Sequence, residues 1–190
     1  MIGAIVLAAG SSSRMGTPKA LLTAKPGGLR FVDAVVLTAC AAGGSVVRVV
    51  VAPGFGRPKP YYVVNPNPDA GMLSSIHRGL DAIDEPVEAV LVWPVDHPDV
   101  TIETVVAMIS AFRAGSPPIV VPTFEGRRGH PVLFAARVIP ELYAADPARG
   151  AAAVVHAHDD RLELAVDDQG IVMDIDTPDD YARHLEASGS

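Results

Sequence analysis

The feature that most constrains this chain is the alternation of short, almost entirely apolar runs with longer segments of helical periodicity. Such alternation is typical of an α/β sheet, and strands that are apolar at nearly every position suit a sheet covered on both faces. The predicted strands cover 2–7, 46–51, 61–64, 89–93, 118–122 and 130–134. The predicted helices cover 31–42, 72–83, 101–115, 135–143 and 149–157, with a last helix from Pro178.

The connection "APGFGRPKP", residues 52–60, is short for its place between two predicted strands. A crossover between parallel strands normally needs about a dozen residues, and this one has nine, three of them proline. We therefore expect an irregular edge here, with an open sheet, a displaced third strand or a disordered loop as the alternatives.

Length and charge limit the class of protein. With 190 residues, 49% of them hydrophobic, the chain is expected to form one domain over 1–187 with a frayed end at 188–190. Lys and Arg total 15 against 22 Asp and Glu, and this net charge of −7 argues against a nucleic-acid partner. The opening apolar stretch is far shorter than the roughly 20 residues of a membrane span and lacks a basic flank, so we expect a cytoplasmic protein without membrane contact.

Cys40 is the one cysteine of the chain. It can form no internal disulfide, and no cysteine-based metal cluster can be assembled. We interpret it as a small buried apolar residue rather than as a reactive thiol.

The loop in "LAAGSSSRMGTPKALL", residues 7–22, follows the first predicted strand. In an open α/β sheet, ligands bind at the carboxyl ends of strands. Gly10, three serines and Gly16 would present backbone N–H groups, and Arg14 and Lys19 add positive charge, a combination that favours phosphate. The spacing matches neither G-x-G-x-x-G nor G-x-x-x-x-G-K-[ST], because five residues separate the two glycines. A flexible loop with two solvated cations is the alternative.

Two aspartates are predicted at the same edge of the sheet. Asp96 in "WPVDHPDV" follows the strand at 89–93, and Asp176 in "DIDTPDD" lies between the apolar, β-like stretch "GIVMDI" and the last helix. Two such carboxylates can share Mg²⁺, which takes its remaining ligands from water and substrate phosphates. The alternatives are a turn-forming role for Asp96 and a helix N-terminal carboxylate for Asp176.

The histidines divide into one candidate and several ordinary residues. His130, which follows the basic "GRRG", is predicted to orient an anionic acceptor. His97 is either a contact to acceptor or water or a simple turn residue, and His156 and His158 are interpreted as surface residues. Arg127 and Arg128 are by default solvated loop cations.

Taken together, "LAAGSSSRMGTPKALL", "NPNPDAGMLSSIHRGL", "PVDHP", "GHPVLF" and "DIDTPDDY" resemble the MobA-like nucleotidyltransferases, and most closely the branch that contains molybdenum cofactor cytidylyltransferases. The resemblance covers essentially the whole chain. It implies a three-layer α/β/α, Rossmann-like fold with a mostly parallel sheet and one antiparallel strand. It also implies transfer of a nucleoside monophosphate from an NTP to a phosphorylated acceptor with release of pyrophosphate. "LAAG" in place of "LAGG" favours CTP.

The same resemblance assigns roles to individual residues. It places the base and ribose on the backbone from Leu7 through Ala8 and Ala9 to Gly10, and the triphosphate on Arg14 and Lys19. Nucleotide contacts are further expected from Ser12, Ser74 and Ser75, metal contacts from Asp96 and Asp176, and acceptor contacts from Gly129, His130 and Pro131.

This chemistry needs charge neutralisation and alignment more than a base, because a phosphorylated acceptor is already ionised at neutral pH. Mg²⁺, Lys19 and Arg14 are therefore predicted to act by electrostatic stabilisation and in-line positioning, with Arg14, Lys19 and Asp96 as the catalytic residues. The expected partners are an NTP and an acceptor such as molybdopterin. The alternatives are a sugar-1-phosphate nucleotidyltransferase and a non-catalytic regulator or chaperone of a molybdoenzyme.

Overall fold

The computed structural model describes residues 1–10, 15–25 and 27–188, and side chains as far as Glu186. The strands of this part of the chain are β1 (Ile2–Ala8), β2 (Gly44–Val51), β3 (Tyr62–Val64), β4 (Ala89–Pro94), β5 (Ile119–Phe124), β6 (Arg127–Arg128), β7 (Val132–Ala135) and β8 (Leu162–Ala165). Its α-helices are α1 (Phe31–Ala41), α2 (Met72–Asp81), α3 (Ile102–Gly115), α4 (Ile139–Ala144), α5 (Gly150–Ala157) and α6 (Pro178–Ser188).

The eight strands of the described residues form one sheet in the order β3-β2-β1-β4-β7-β5, with β6 and β8 also paired to β5. Strands β1 to β4 are mutually parallel, and β8 is parallel to β5. Strand β7 is antiparallel to both β4 and β5, and the two-residue β6 is a second antiparallel piece in a hairpin with β5. The predicted mostly parallel sheet is confirmed.

Helices cover both faces of the sheet, as the apolar strands predict. Every residue of β1 and β4 is buried. One layer contains α1 and α3, which contact each other, and the other contains α2, which contacts α4 and α5. The three-layer α/β/α architecture is confirmed, and within the described residues no helix is long and apolar enough to cross a membrane.

The expectation of an irregular edge at 52–60 is wrong. Strand β3 joins the sheet in parallel register, with Val49 opposite Tyr62. The strand is only three residues long and begins directly after the loop, so the connection needs no crossover helix. Phe55 packs edge-to-face on Tyr62 with ring centroids 5.6 Å apart, and Lys59 donates to Asp33 of α1 at 2.9 Å.

Three other local predictions are corrected. The stretch "GIVMDI" forms no strand, because residues 169–171 make a 3₁₀ turn whose Gly170 packs directly on the backbone of Asp99. Strand β8 lies earlier in the chain and was not predicted. Cys40 is exposed, because it lies on the outward side of α1.

Candidate active site

The carboxyl ends of β1 and β4 build the first wall of the site. The two strands are parallel neighbours with Leu7 opposite Pro94, and the Val95 N–H donates to the Leu7 carbonyl at 3.1 Å. The segments that leave the sheet after these strands therefore run side by side. They border a cavity of about 270 Å³. Its lining consists of Leu7, Ala8, Ala9, Gly10, Lys19, Ala20, Pro68, Met72, Ser75, Pro94, Val95, Asp96 and Asp176.

Lys19 joins the two predicted metal ligands. It opens a 3₁₀ turn whose next residue, Ala20, is 1% exposed and so anchors the backbone. Lys19 Nζ donates to Asp96 Oδ2 at 2.9 Å and also to Asp176 Oδ1. Burial acts to lower the pKa of Lys19, but the hydrogen bonds to Asp176 and Asp96 outweigh it and raise the pKa above its usual value. The ammonium therefore stays charged at neutral pH.

Asp176 is brought to Asp96 by the segment that leads into α6. The Ile175 N–H donates to the Asp96 carbonyl at 3.2 Å, which fixes the two chain segments beside each other. Asp180 then accepts from the Thr177 N–H at 2.8 Å and from its hydroxyl at 2.6 Å, closing the first turn of α6. Asp180 thus accepts the hydrogen bonds at the start of α6. The carboxylate of Asp176 is not needed there and lines the cavity.

The residues present fit a hard divalent cation. The carboxylates of Asp96 and Asp176 converge on one point of the cavity wall, and carboxylate oxygens are the ligands that Mg²⁺ and Mn²⁺ prefer. The described residues hold no group of three His, Cys, Asp or Glu side chains arranged for a metal. An ion held here would therefore take further ligands from water or from the phosphates of a substrate.

Of the two predicted serines, Ser75 lines the cavity, whereas Ser74 donates to the Gly71 carbonyl at 2.7 Å. Asn65, which is 2% exposed, holds both serines, donating to Ser74 Oγ at 2.9 Å and to Ser75 Oγ at 3.0 Å. The sequence analysis missed Asn65. The sequence feature that could have identified it is its place directly after the predicted third strand, at the same sheet edge as Asp96.

A second cavity, of about 420 Å³, adjoins the first, and Met72 lines both. Its wall is mostly apolar and contains the predicted acceptor residues Gly129 and His130, while Pro131 follows them through a cis peptide bond. Other side chains of the wall are Ile76, Val92, Val121, Val132, Phe134 and Val155, with Arg128, Arg149 and His156 as its basic members. His156 is exposed, as predicted, and also borders this cavity. Arg128 is an ion-pair partner of Glu163 at 2.5 Å.

His130 is held in an apolar environment. Its backbone N–H donates to the Ile171 carbonyl at 2.8 Å, and its ring centroid lies 5.0 Å from that of His97. Burial, with a smaller contribution from His97, lowers the pKa of His130 to about 4. His130 is therefore neutral at physiological pH and can contact an acceptor by hydrogen bonding or packing but not as a cation. His97 is itself buried, with Nδ1 3.3 Å from the Gly170 carbonyl, so it is not a solvent-facing turn residue.

Two predicted site residues, Ser12 and Arg14, lie outside the described residues. Most of the others line the two adjoining cavities: Leu7, Ala8, Ala9, Gly10, Lys19, Ser75, Asp96 and Asp176 the first, and Gly129 and His130 the second. Ser74 and Pro131 line neither cavity.

A mostly parallel sheet with a lysine and two carboxylates gathered in a cavity at the carboxyl ends of neighbouring strands is typical of phosphate-handling α/β enzymes. The model of the MobA-like NTP transferase domain matches residues 4–162. The chain belongs to this family, and the prediction of a nucleotidyltransferase is confirmed. No curated protein matches the chain.

Solved structures with the same fold support the assignment. Rv0371c from Mycobacterium tuberculosis H37Rv is 28% identical, with a TM-score of 0.83 over 97% of both chains. Its complex with manganese superposes with a TM-score of 0.76 at 25% identity, again over 97% of both chains. Two further structures support the fold alone. A nucleotidyl transferase from Methanothermobacter, Mth528, is 20% identical, with a TM-score of 0.80 over 98% of this chain and 97% of its own. The 2-C-methyl-D-erythritol 4-phosphate cytidylyltransferase from Thermus thermophilus is also 20% identical, with a TM-score of 0.71 over 100% of both chains.

Proposed function

We propose that this protein transfers a nucleoside monophosphate from an NTP, with CTP favoured, to a phosphomonoester acceptor such as molybdopterin. The observation that carries the proposal is the convergence of Lys19, Asp96 and Asp176 on one cavity that adjoins a second, mostly apolar cavity. The first cavity suits the nucleotide and its phosphates. The second, whose wall includes Arg128 and Arg149, suits an anionic acceptor.

In this proposal the backbone from Leu7 to Gly10 contacts the base and ribose, and Lys19 binds the phosphates of the nucleotide. Asp96 and Asp176 would hold Mg²⁺, which supplies neutralisation of the phosphate charge when it is bound. The ammonium of Lys19 adds a positive charge that also stabilises the pyrophosphate as it leaves. The "LAAG" sequence of this strand end supports CTP over GTP.

The acceptor's phosphomonoester oxygen attacks the α-phosphorus, forming a P–O–P linkage as the bond to pyrophosphate breaks. No general base is needed, since the attacking oxygen is already ionised at neutral pH. The second cavity would align the acceptor with the α-phosphorus. Met72 lies at its junction with the first cavity, and Gly129 and His130 line its wall.

Thermal unfolding with CTP, GTP, UTP, ATP and dTTP, each with and without Mg²⁺, tests the proposal, since a ligand that binds the native state raises its melting temperature. We expect a selective, Mg²⁺-dependent shift with CTP, followed by molybdopterin-dependent release of pyrophosphate. A selective shift with UTP or dTTP would favour a sugar phosphate as the acceptor instead of molybdopterin. No shift with any nucleotide would favour the non-catalytic alternative, a regulator or chaperone of a molybdoenzyme.

A further inference from the structure

The Lys19 ammonium lies between the two carboxylates that are proposed to hold the metal ion. Asp96 Oδ2 is 2.9 Å from Lys19 Nζ, and Asp176 Oδ1 also accepts a hydrogen bond from it. All three side chains are largely shielded from water, at 13%, 23% and 29% exposed. The oxygens that would bind a divalent cation are therefore already bound to a cation of the chain itself.

The backbone of Lys19 is fixed, but its side chain has freedom to move. The Leu22 N–H donates to the Lys19 carbonyl at 2.9 Å, and the neighbouring Ala20 is buried. The flexible four-carbon stem can nevertheless carry the ammonium to another anion in the same cavity. The phosphates of a nucleotide would be such anions, because Lys19 and Gly10 line the cavity together.

Displacing this ammonium costs free energy. A hydrogen bond between charged groups is stronger than one between neutral groups, and here two of them share one nitrogen. A divalent cation that arrives alone must compete with the ammonium for both carboxylates. If a triphosphate is present, Lys19 can exchange the carboxylates for phosphate oxygens, and the carboxylates become available to the metal.

We propose that Lys19 makes metal binding at Asp96 and Asp176 conditional on nucleotide binding, by occupying the carboxylates until phosphates draw it away. The inference rests on the proposed function in taking an NTP as the ligand that moves Lys19. Because binding free energies are linked, the metal and the nucleotide must raise each other's affinity by the same factor.

The first experiment measures the affinity for Mn²⁺ alone, from the electron paramagnetic resonance signal of the free ion, without any nucleotide. We expect the Lys19→Gln variant to bind Mn²⁺ at least about tenfold more tightly than the wild type, the equivalent of one charge-assisted hydrogen bond. Lys25→Gln is the matched control, since it removes the same charge from an exposed side chain of the same loop and should bind Mn²⁺ as the wild type does. Adding Asp176→Asn to Lys19→Gln should abolish the gain. If Lys19→Gln fails to fold, Lys19→Met takes its place.

The second experiment repeats the titration with saturating CTP. The wild type should then bind Mn²⁺ at least about tenfold more tightly than without CTP. Lys19→Gln should gain much less from CTP, because no ammonium at position 19 competes with the metal for the carboxylates. Equal Mn²⁺ affinities of wild type and Lys19→Gln in the absence of nucleotide would overturn the inference. If the wild type bound no nucleotide at all, the proposed function would be overturned instead. The Mn²⁺ affinities of wild type and Lys19→Gln without nucleotide would still decide whether Lys19 competes with the metal.

Discussion

Among single residues, His130 has an environment that makes stability depend on pH. Burial lowers its pKa from 6.5 to about 4, the nearby His97 adds to this effect, and Asp96 opposes it. Between these two values the unfolded chain binds a proton that the folded chain does not, so stability falls as the pH falls through this range. Between about pH 7 and pH 5, the free energy of unfolding measured with urea should therefore fall by about 2 kcal/mol less in His130→Asn than in the wild type.

His156→Asn is the matched control for this effect. It makes the same chemical change in an exposed side chain at the rim of the same cavity, so it should follow the wild-type pH dependence. Equal slopes for the wild type and His130→Asn would show that His130 is not held neutral by burial.

Asp96 carries the charge that binds both Lys19 and, in the proposed function, the metal. Asp96→Asn keeps the size of the side chain but removes that charge, so we expect kcat to fall by at least about a hundredfold while the fold is retained. Asp84→Asn, at an exposed position in the loop after α2, should leave kcat unchanged. Retention of metal-dependent turnover in Asp96→Asn would remove Asp96 from the metal site.

At the scale of elements, the segment that leads into β7 at the second cavity depends on a close backbone approach. A Cβ at Gly129 would lie 2.6 Å from the Ile171 carbonyl carbon and closer still to its oxygen, where the 3₁₀ turn 169–171 crosses the segment between β6 and β7. Gly129→Ala must therefore push the turn or this segment aside. We expect a loss of about 2 kcal/mol or more in the free energy of unfolding, with a raised KM for the acceptor.

Gly115→Ala is the control, because its Cβ would meet only Pro117 Cδ at 3.8 Å, an ordinary contact at the end of α3. It should be neutral or slightly stabilising. An unchanged acceptor KM in a folded Gly129→Ala protein would argue against a role of this segment in acceptor binding.

The elements that the sequence predicts well are those whose local pattern and long-range environment agree. Strands β1 and β4 are apolar at every position, which suits a sheet covered by helices on both faces. Helix α3 begins one residue after its predicted range begins, and the Thr101 side chain caps it by accepting from the Thr104 N–H. Strand β8 was missed because only Leu162 and Leu164 face the protein while Glu163 is exposed, an alternation too short to stand out. The turn at 169–171 depends on contacts with distant backbone, which no local pattern reveals.

In the site, too, the features set by local sequence could be predicted and those set by distant contacts could not. Lys19 and Asp96 were predictable as cavity residues because each follows, along the chain, a strand whose carboxyl end lies at the sheet edge where ligands bind. Asp176 also lines the cavity, although the strand predicted before it does not form. The hydrogen bonds among these three side chains were not predictable, since they depend on how α6 docks against Thr23, Ala24 and Asp99. The low pKa of His130 likewise reflects burial by elements far away in the sequence.

For the molecule as a whole, α6 is the element that holds the remote parts of the site together. His184 is 2% exposed; its Nε2 lies 2.6 Å from the Ala24 carbonyl and its Nδ1 2.9 Å from Asp99 Oδ2. The Tyr181 hydroxyl also donates to the Thr23 carbonyl at 3.1 Å. These contacts tie α6 to the loop that carries Lys19 and to the segment after β4 that carries Asp96. The position of Asp176 therefore depends on the docking of the whole helix.

His184→Ala should release this helix without dissolving the sheet. The loss of a buried side chain with two polar partners is expected to cost about 2–4 kcal/mol of unfolding free energy. Amide hydrogen exchange should show faster opening of 19–25 together with α6, while β1 and β4 keep their protection. Arg183→Ala, on the same helix with a 73% exposed side chain, removes only a surface ion pair with Asp180 and should cost less than about 1 kcal/mol. If 19–25 opened no faster in His184→Ala than in Arg183→Ala, the loop would be held by its own contacts, and the geometry of Lys19 would not depend on the carboxyl-terminal helix.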